Sequence, residues 1–353
     1  MAKKVRVTTF CTETSIGSIL QSYALSKYLE EHSYETAVLQ EKCDLVERNP
    51  KIPSSLKDLL RRIYRIPQKG KIHRAQKKRA RFIASHIAVE YYQDENALKQ
   101  QALKNEDYVY LAGSDQIWHP DRCDPVFFLS FAGNNKRISY AASMGKTEIP
   151  LQNKEKISQW LKAFDAISVR EKDCVLSLQE LTKQEMSTHV DPTFLMSSQS
   201  WRELEKPYEV KGPYILLYML YWDNACKKQI IALKKRTGLP VYAICPDVSR
   251  VYADKRLYDV GVEEFLWLVD HAKYVITSSF HGVAFSILFQ KQFSAVINPS
   301  LSSRIRNVMD VLSVPTVSIE QLDTAKAFPY EEIAANIEKE RQRSMEYLIE
   351  AIG

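Results

Sequence analysis

Three short stretches place reactive side chains directly after what reads as a β-strand, which is where parallel sheets open their ligand sites. The first is Gly113-Ser114-Asp115-Gln116-Ile117-Trp118-His119-Pro120, after the apolar run YVYLA. The second is Ser168-Val169-Arg170-Glu171, closing the run AISV. The third is Thr277-Ser278-Ser279-Phe280-His281-Gly282, between YVI and VAFSILF. There a strand, a Ser-rich turn and a short helix opening at Gly282 would aim backbone N–H groups at an anion. His281 would stand at the helix mouth, placed for proton transfer to or from a bound phosphate ester. Capping the helix by a local hydrogen bond is the other role open to it. Arg170 either holds an anion or pairs with a neighbour. Asp115 either takes part in chemistry or closes a tight turn, and Trp118 either stacks on a sugar ring or fills the core. The segment Ala141-Ala142-Ser143-Met144-Gly145 imitates a serine-nucleophile elbow, which needs a helix straight after the serine. Lys-Thr-Glu-Ile-Pro150 follows instead, which argues against a serine hydrolase.

These stretches sit in an alternation of strands and helices. In the C-terminal half, strands are expected at Tyr214–Tyr221, Val241–Cys245, Tyr274–Ser278 and Phe293–Ile297. Helices are expected up to about Thr237, at Glu263–Ala272 and at Gly282–Phe289, and the chain ends in a helix over 331–353. In the N-terminal half, strands fit Val5–Phe10, Thr36–Leu39, Tyr108–Ala112, Ile138–Ala142 and Ala166–Val169. Helices fit Ile16–Glu31, a stretch from Lys69 onward, and Glu95–Leu103. Such alternation implies parallel α/β sheets. With 353 residues the chain exceeds the ~250–300 that one core sustains, so two α/β domains facing across a crevice are expected. They span 1–195, with an insertion at about 45–90, and 210–330, joined through Pro192–Gly212.

At 45% hydrophobic and 26% charged residues the chain is not disordered. Ten glycines are fewer than the usual ~7% and argue against a glycine-paved nucleotide site. The cysteines Cys11, Cys43, Cys123, Cys174, Cys226 and Cys245 lack metal-ligand spacing and read as reduced thiols of a cytoplasmic protein. No metal site is expected. The formal charge of +6 is concentrated: Arg61–Arg81 holds ten Lys/Arg and no acid, leaving the rest at −4. A nucleic-acid partner is therefore not expected. The basic segment is either a solvated helix face or a contact for anionic lipid at the inner face of the membrane. The first ten residues lack the apolar core of a signal peptide. The longest apolar run, Tyr214–Trp222, is nine residues, far short of the ~20 that span a bilayer.

Together, GSDQIWHP (113–120), SYAASMG (139–145), ISVRE (167–171), VDPTF (190–194), SSFHGVAFSILFQKQF (278–293) and SIGSILQSYALSKYL (15–29) resemble the polysaccharide pyruvyl transferase family. The resemblance spans about residues 5–310 and leaves the basic insertion unmatched. It implies a GT-B-like fold of two Rossmann-like domains, with phosphoenolpyruvate as donor and no other cofactor. It implies a sugar hydroxyl pair of a cell-surface polysaccharide, or its lipid-linked precursor, as acceptor. On this basis His281 and Asp115 are the catalytic candidates. Arg170, Ser279, Gly282, Arg304 and Arg306 are the donor-binding candidates, and Trp118, His119 and Gln21 face the acceptor. The family's Arg-x-His pair has serine, Ser279, in place of the arginine; Arg304 and Arg306 are the nearest substitutes. A GT-B glycosyltransferase using a nucleotide sugar, or a non-catalytic glycan-assembly protein, are the alternatives.

Overall fold

The computed structural model describes residues 2–42, 66–222, 224–245, 251–297 and 303–353. Five parallel strands form the first sheet: β1 (Lys4–Thr8), β2 (Glu35–Glu41), β3 (Val89–Tyr92), β4 (Tyr108–Ala112) and β5 (Lys136–Ser139), in the order β3-β2-β1-β4-β5. Helix α1 (Ile16–Glu31) follows β1, α2 (Lys69–His86) precedes β3, and α3 (Glu95–Lys104) follows it. Beyond β5 the chain adds α4 (Leu151–Leu161), β6 (Ile167–Val169), α5 (Lys172–Thr182) and β7 (Met186–Thr188). Parallel bridges Ile138↔Ala166 and Ala142↔Val169 attach β6 to the edge of the sheet.

The second sheet repeats the plan. Strands β8 (Ile215–Tyr218), β9 (Val241–Ile244), β10 (Lys255–Leu257), β11 (Tyr274–Thr277) and β12 (Gln292–Ala295) run in the order β10-β9-β8-β11-β12. Its helices are α7 (Asn224–Thr237), α8 (Val262–Asp270) and α9 (Phe280–Leu288), followed by α10 (Ser303–Val311). The central strands β1 and β8 are paired on both sides. Strand β8 (ILLY) is apolar on both faces, as parallel strands covered by helices usually are. Strand β1 (KVRVT) instead sets Val5 and Val7 on one face and a buried Arg6, paired with Glu35 and Glu90, on the other.

The two halves share a core. Helix α1 is buried on nearly every face, because it lies between its own sheet and elements of the other domain. One apolar cluster runs from Val5 and Leu25 through Trp201 to Phe265 and Phe285. The connector, expected as a plain link, is itself folded into this cluster. A 3-10 turn at Pro192–Leu195 leads to the short α6 (Ser198–Arg202), where Trp201 packs on Tyr23 and Phe285 and donates to the Thr193 carbonyl at 3.0 Å.

The C-terminal helix, α11 (Tyr330–Ile352), crosses back to the first domain. Tyr28 Oη donates to the Met345 carbonyl and Tyr347 Oη to that of Ser139, while Lys3 and Lys136 Nζ reach the Ile352 carbonyl. His189 is stacked between Tyr140 and Tyr347, with Ser344 Oγ 3.2 Å from Nδ1. Burial pushes this imidazole down to about 3, so it is neutral in the fold.

The basic segment falls partly outside the described residues. Its helix, α2, turns Arg79 fully inward and Lys78 partly so, while Arg74 meets its partner at the exposed surface. Arg79 donates to the Val260 carbonyl through Nη2 (2.8 Å) and Nε (3.1 Å), and to the Glu13 carbonyl through Nη1 (3.4 Å). Lys78 Nζ reaches Glu264 Oε1 at 2.6 Å, and Arg74 lies 3.8 Å from Asp259. The helix is thus a brace between the domains, with Lys69, Lys71, Arg74, Lys77 and Arg81 left exposed.

Candidate functional site

A cleft of about 460 Å³ opens between the carboxyl ends of the two sheets. The first domain contributes Phe10, Thr12, Ser15, Asp115, Gln116 and Arg122; the second contributes Tyr221, Ser278, Ser279, Phe280, His281 and Arg304. Helix α9 starts two residues earlier than the glycine suggests, because Ser279 caps it, its Oγ accepting from the Gly282 N–H at 3.4 Å. His281 therefore lies within the first turn.

On the opposite wall, Asp115 follows β4 and adopts φ 74°, ψ 177°. That region is occupied almost only by glycine and costs about 1–3 kcal/mol. The carboxylate accepts from the Gln116 N–H at 2.8 Å. The next loops are stitched to it: Ser143 N–H donates to the Asp115 carbonyl, and Arg170 N–H to that of Ala142. Ser143 is buried with its hydroxyl on Glu171 Oε1 at 2.5 Å and has no helix after it.

Behind His281 is a buried charged cluster built round Asp191, which the sequence offered only as part of the VDPTF stretch. Asp191 follows β7 and is fully buried. Its Oδ1 accepts from the Thr193 N–H (3.0 Å) and Oγ1 (2.9 Å), and its Oδ2 from Arg170 Nη1 (2.6 Å). Burial would raise this carboxyl, but His281, Arg170 and the Thr193 bonds hold it below the usual range. His281 Nε2 lies 3.9 Å from Asp191 Oδ2. Burial is the largest influence on His281 and lowers it despite Asp191 and Asp115, so the ring is neutral at neutral pH.

Several expected roles change. Arg170 is 3% exposed, is bonded to Asp191, sits 4.2 Å over the Phe280 ring and does not line the cleft. Its Nη1 grips Asp191, while Nη2 is buried with no hydrogen-bond partner among the described residues. Gly282 also lies off the cleft; a Cβ there would meet Thr277 Oγ1 at 2.2 Å, and its N–H is taken by Ser279. Trp118 is 1% exposed, stacked on Phe128 and donating to the Phe127 carbonyl, so it has no face open to an acceptor. Gln21 is buried beneath the cleft loop, where its Nε2 holds Thr9 Oγ1 and the Phe10 carbonyl. His119 is outside the cleft lining and accepts from the Asp121 N–H at 3.3 Å.

Arg304 and Arg306 separate cleanly. They are two residues apart on α10 and so point to different faces: Arg306 is exposed, whereas Arg304 enters the cleft. The Gln116 side-chain oxygen, in the amide orientation that satisfies both groups, accepts from Arg304 Nη2 at 2.8 Å across the domains. Asn307, one turn on, bonds the Arg170 carbonyl at 3.0 Å. Among the described residues, Glu205, Asp270 and His271 are close enough to share a metal ion, but Asp270 is already paired with Arg202 and Lys291.

Two Rossmann-like sheets of the same strand order, a cleft between their carboxyl ends and a final helix returning to the first domain define the GT-B fold. Solved structures with this architecture include a UDP-GlcNAc 2-epimerase from Neisseria meningitidis bound to UDP-GlcNAc (TM-score 0.56, 10% identity, covering 99% of this chain and 98% of that one). Another is the UDP-GlcNAc 2-epimerase from Methanocaldococcus jannaschii (TM-score 0.56, 9% identity, 96% and 92% covered). A third is S. aureus MnaA with UDP (TM-score 0.54, 11% identity, 98% and 96% covered). Identities this low establish the fold alone. The family is established by sequence: residues 16–300 match polysaccharide pyruvyl transferase, and the chain belongs to that family. Among curated proteins, none matches the chain.

Proposed function

We propose that this protein transfers the pyruvyl group of phosphoenolpyruvate to two hydroxyls of a sugar in a polysaccharide or its lipid-linked precursor, forming a ketal and releasing phosphate. The observation that carries this reading is the meeting of His281 and Arg304 on one wall of the cleft with Asp115 on the other. Arg304 supplies the paired donors that a phosphate or carboxylate accepts, in place of the arginine missing at Ser279. Arg122 offers a second cation from the facing wall.

His281, charged once the anionic donor is beside it, gives its proton to C3 of the enol, and C2 becomes cationic. The first sugar hydroxyl bonds to C2 while its proton passes to Asp115. The C2–O bond to phosphate then breaks, the electron pair leaving with phosphate, which takes the proton held by Asp115. The second hydroxyl closes the ketal and returns a proton to His281. Phe10 and Tyr221, on the two lips, supply the rings against which a sugar packs.

Thermal stabilisation by millimolar phosphoenolpyruvate is the test. The shift is expected in the native protein and in His281→Gln, and is expected to vanish in Arg304→Ala. No shift with phosphoenolpyruvate but a clear one with a UDP-sugar would overturn the reading in favour of a glycosyltransferase. Among the described residues no helix is long and apolar enough to cross a membrane. Contact with a lipid-linked acceptor at an anionic surface is supported by Lys69, Lys71, Lys77 and Arg81, four of the exposed cations of α2. Reversing these four to Glu should release the protein from anionic vesicles, and unchanged binding would sink that part of the proposal.

A further inference from the structure

The His281 imidazole belongs to the second domain but is flanked on two sides by the first. On one side it lies against the opening turn of α1: a Cβ on Gly17 would sit 2.1 Å from Nδ1 and 2.7 Å from Cγ, so a larger residue would exclude the ring. On the other side Nε2 faces Asp191 Oδ2 at 3.9 Å and has no hydrogen-bond partner among the described residues. Asp191 cannot swing away, because Thr193 fixes Oδ1 and Arg170 fixes Oδ2. Approach by about 1 Å would make the Nε2–Oδ2 pair a hydrogen bond.

Resting on the pyruvyl-transfer reading, we propose that Asp191 is a positioning residue that holds His281 for proton transfer, through an opening between the domains that only Gly17 leaves wide enough. The logic is that of an imidazole whose orientation and tautomer are set by the group its other nitrogen meets. The charges around the ring are Asp191 from the loop after β7, Asp115 from the loop after β4, Arg170 from the end of β6 and Arg304 from α10. Of these, Asp191 is the carboxylate whose oxygen comes within 4 Å of an imidazole nitrogen. Arg170 then acts at one remove, by keeping the carboxylate ionised and aimed.

The experiment is long-range 15N NMR on histidine-labelled full-length protein without substrate, with His281 assigned by the signal lost in His281→Gln. Asp191→Asn is expected to lower the His281 titration midpoint by about one pH unit or more, roughly tenfold in the protonation equilibrium, and to mix its tautomers. Gly17→Ala keeps every charge but displaces the ring, so it should move the His281 signals the same way with the remaining histidines unchanged. It also answers the question if Asp191→Asn, which strands Arg170, does not fold. A His281 titration and tautomer unchanged in either folded variant overturns the assignment. Phosphoenolpyruvate is then added to the same samples. If it leaves His281 unmoved while the variants differ as expected, the pair stands and the donor reading falls.

Discussion

The loop after β4 and the loop after β11 occupy the same position in two sheets of the same strand order, yet they solve the same problem in opposite ways. After β11 the chain turns at once into a capped helix, and His281 rides on its first turn with ordinary backbone angles. After β4 the chain passes through the strained Asp115, a single 3-10 turn and a long irregular stretch before β5. The second domain thus presents its group on a regular element, while the first stores strain beneath its group and stitches neighbouring loops around it. Rigid support can come from a helix or from a web of loop hydrogen bonds, and this molecule uses one on each wall.

That contrast can be broken at several points. The largest effect should come from His281→Gln, which removes the imidazole from the helical wall: turnover should fall about 10²–10⁴-fold in a phosphate-release assay, with phosphoenolpyruvate stabilisation retained. Gly282→Ala should then destabilise the protein by about 1–3 kcal/mol in urea unfolding, because the new Cβ would press on Thr277 Oγ1 and Cβ at 2.2 and 2.9 Å.

Acid should distinguish the halves. His189 is buried neutral, while the unfolded chain binds a proton below about 6.5. Its contribution is therefore fully present above that pH and is lost as pH falls toward 3, at up to ~1.4 kcal/mol per unit. Hydrogen exchange at pH 5 should lose protection in α11 and β5–β7 before β8–β12, and His189→Gln should flatten the dependence of Tm on pH. The smallest effect on stability is opposite in sign to that of Gly282→Ala: Asp115→Gly should raise it by about 1 kcal/mol in the same urea assay. A destabilised Asp115→Gly would mean the carboxylate's bond to Gln116 outweighs the strain.

Much of this was legible from residue order. Parallel α/β alternation survives as two five-stranded sheets because buried strands such as YVYLA and YILLY have one reading, and β4 matches its expected bounds, Tyr108–Ala112. His281 was legible because strand, serines, histidine and glycine together describe a helix mouth. Asp191 was not, although it stands within VDPTF: its place is set by contacts with Arg170 and His281, which are 21 and 90 positions away. Trp118 misled because an aromatic beside polar residues looks exposed, and only the packing of Phe128 and Phe164 shows that it is core. The cations of α2 misled for the same reason in reverse. Charge on a helix suggests solvent, but Arg79 finds one backbone carbonyl on the other domain and one in the cleft loop.

The return of α11 to the first sheet also sets a timetable for synthesis. Lys136 on β5 must wait for a partner 216 positions later in the chain. At 5–20 residues per second that is an interval of roughly 10–40 s. Throughout it the first sheet has formed strands but no final clasp, and α1 has yet to meet the second-domain helices that cover its outer faces. The nascent first domain is therefore the stage at which this protein is most exposed to aggregation, and the stage at which a chaperone would have most to hold.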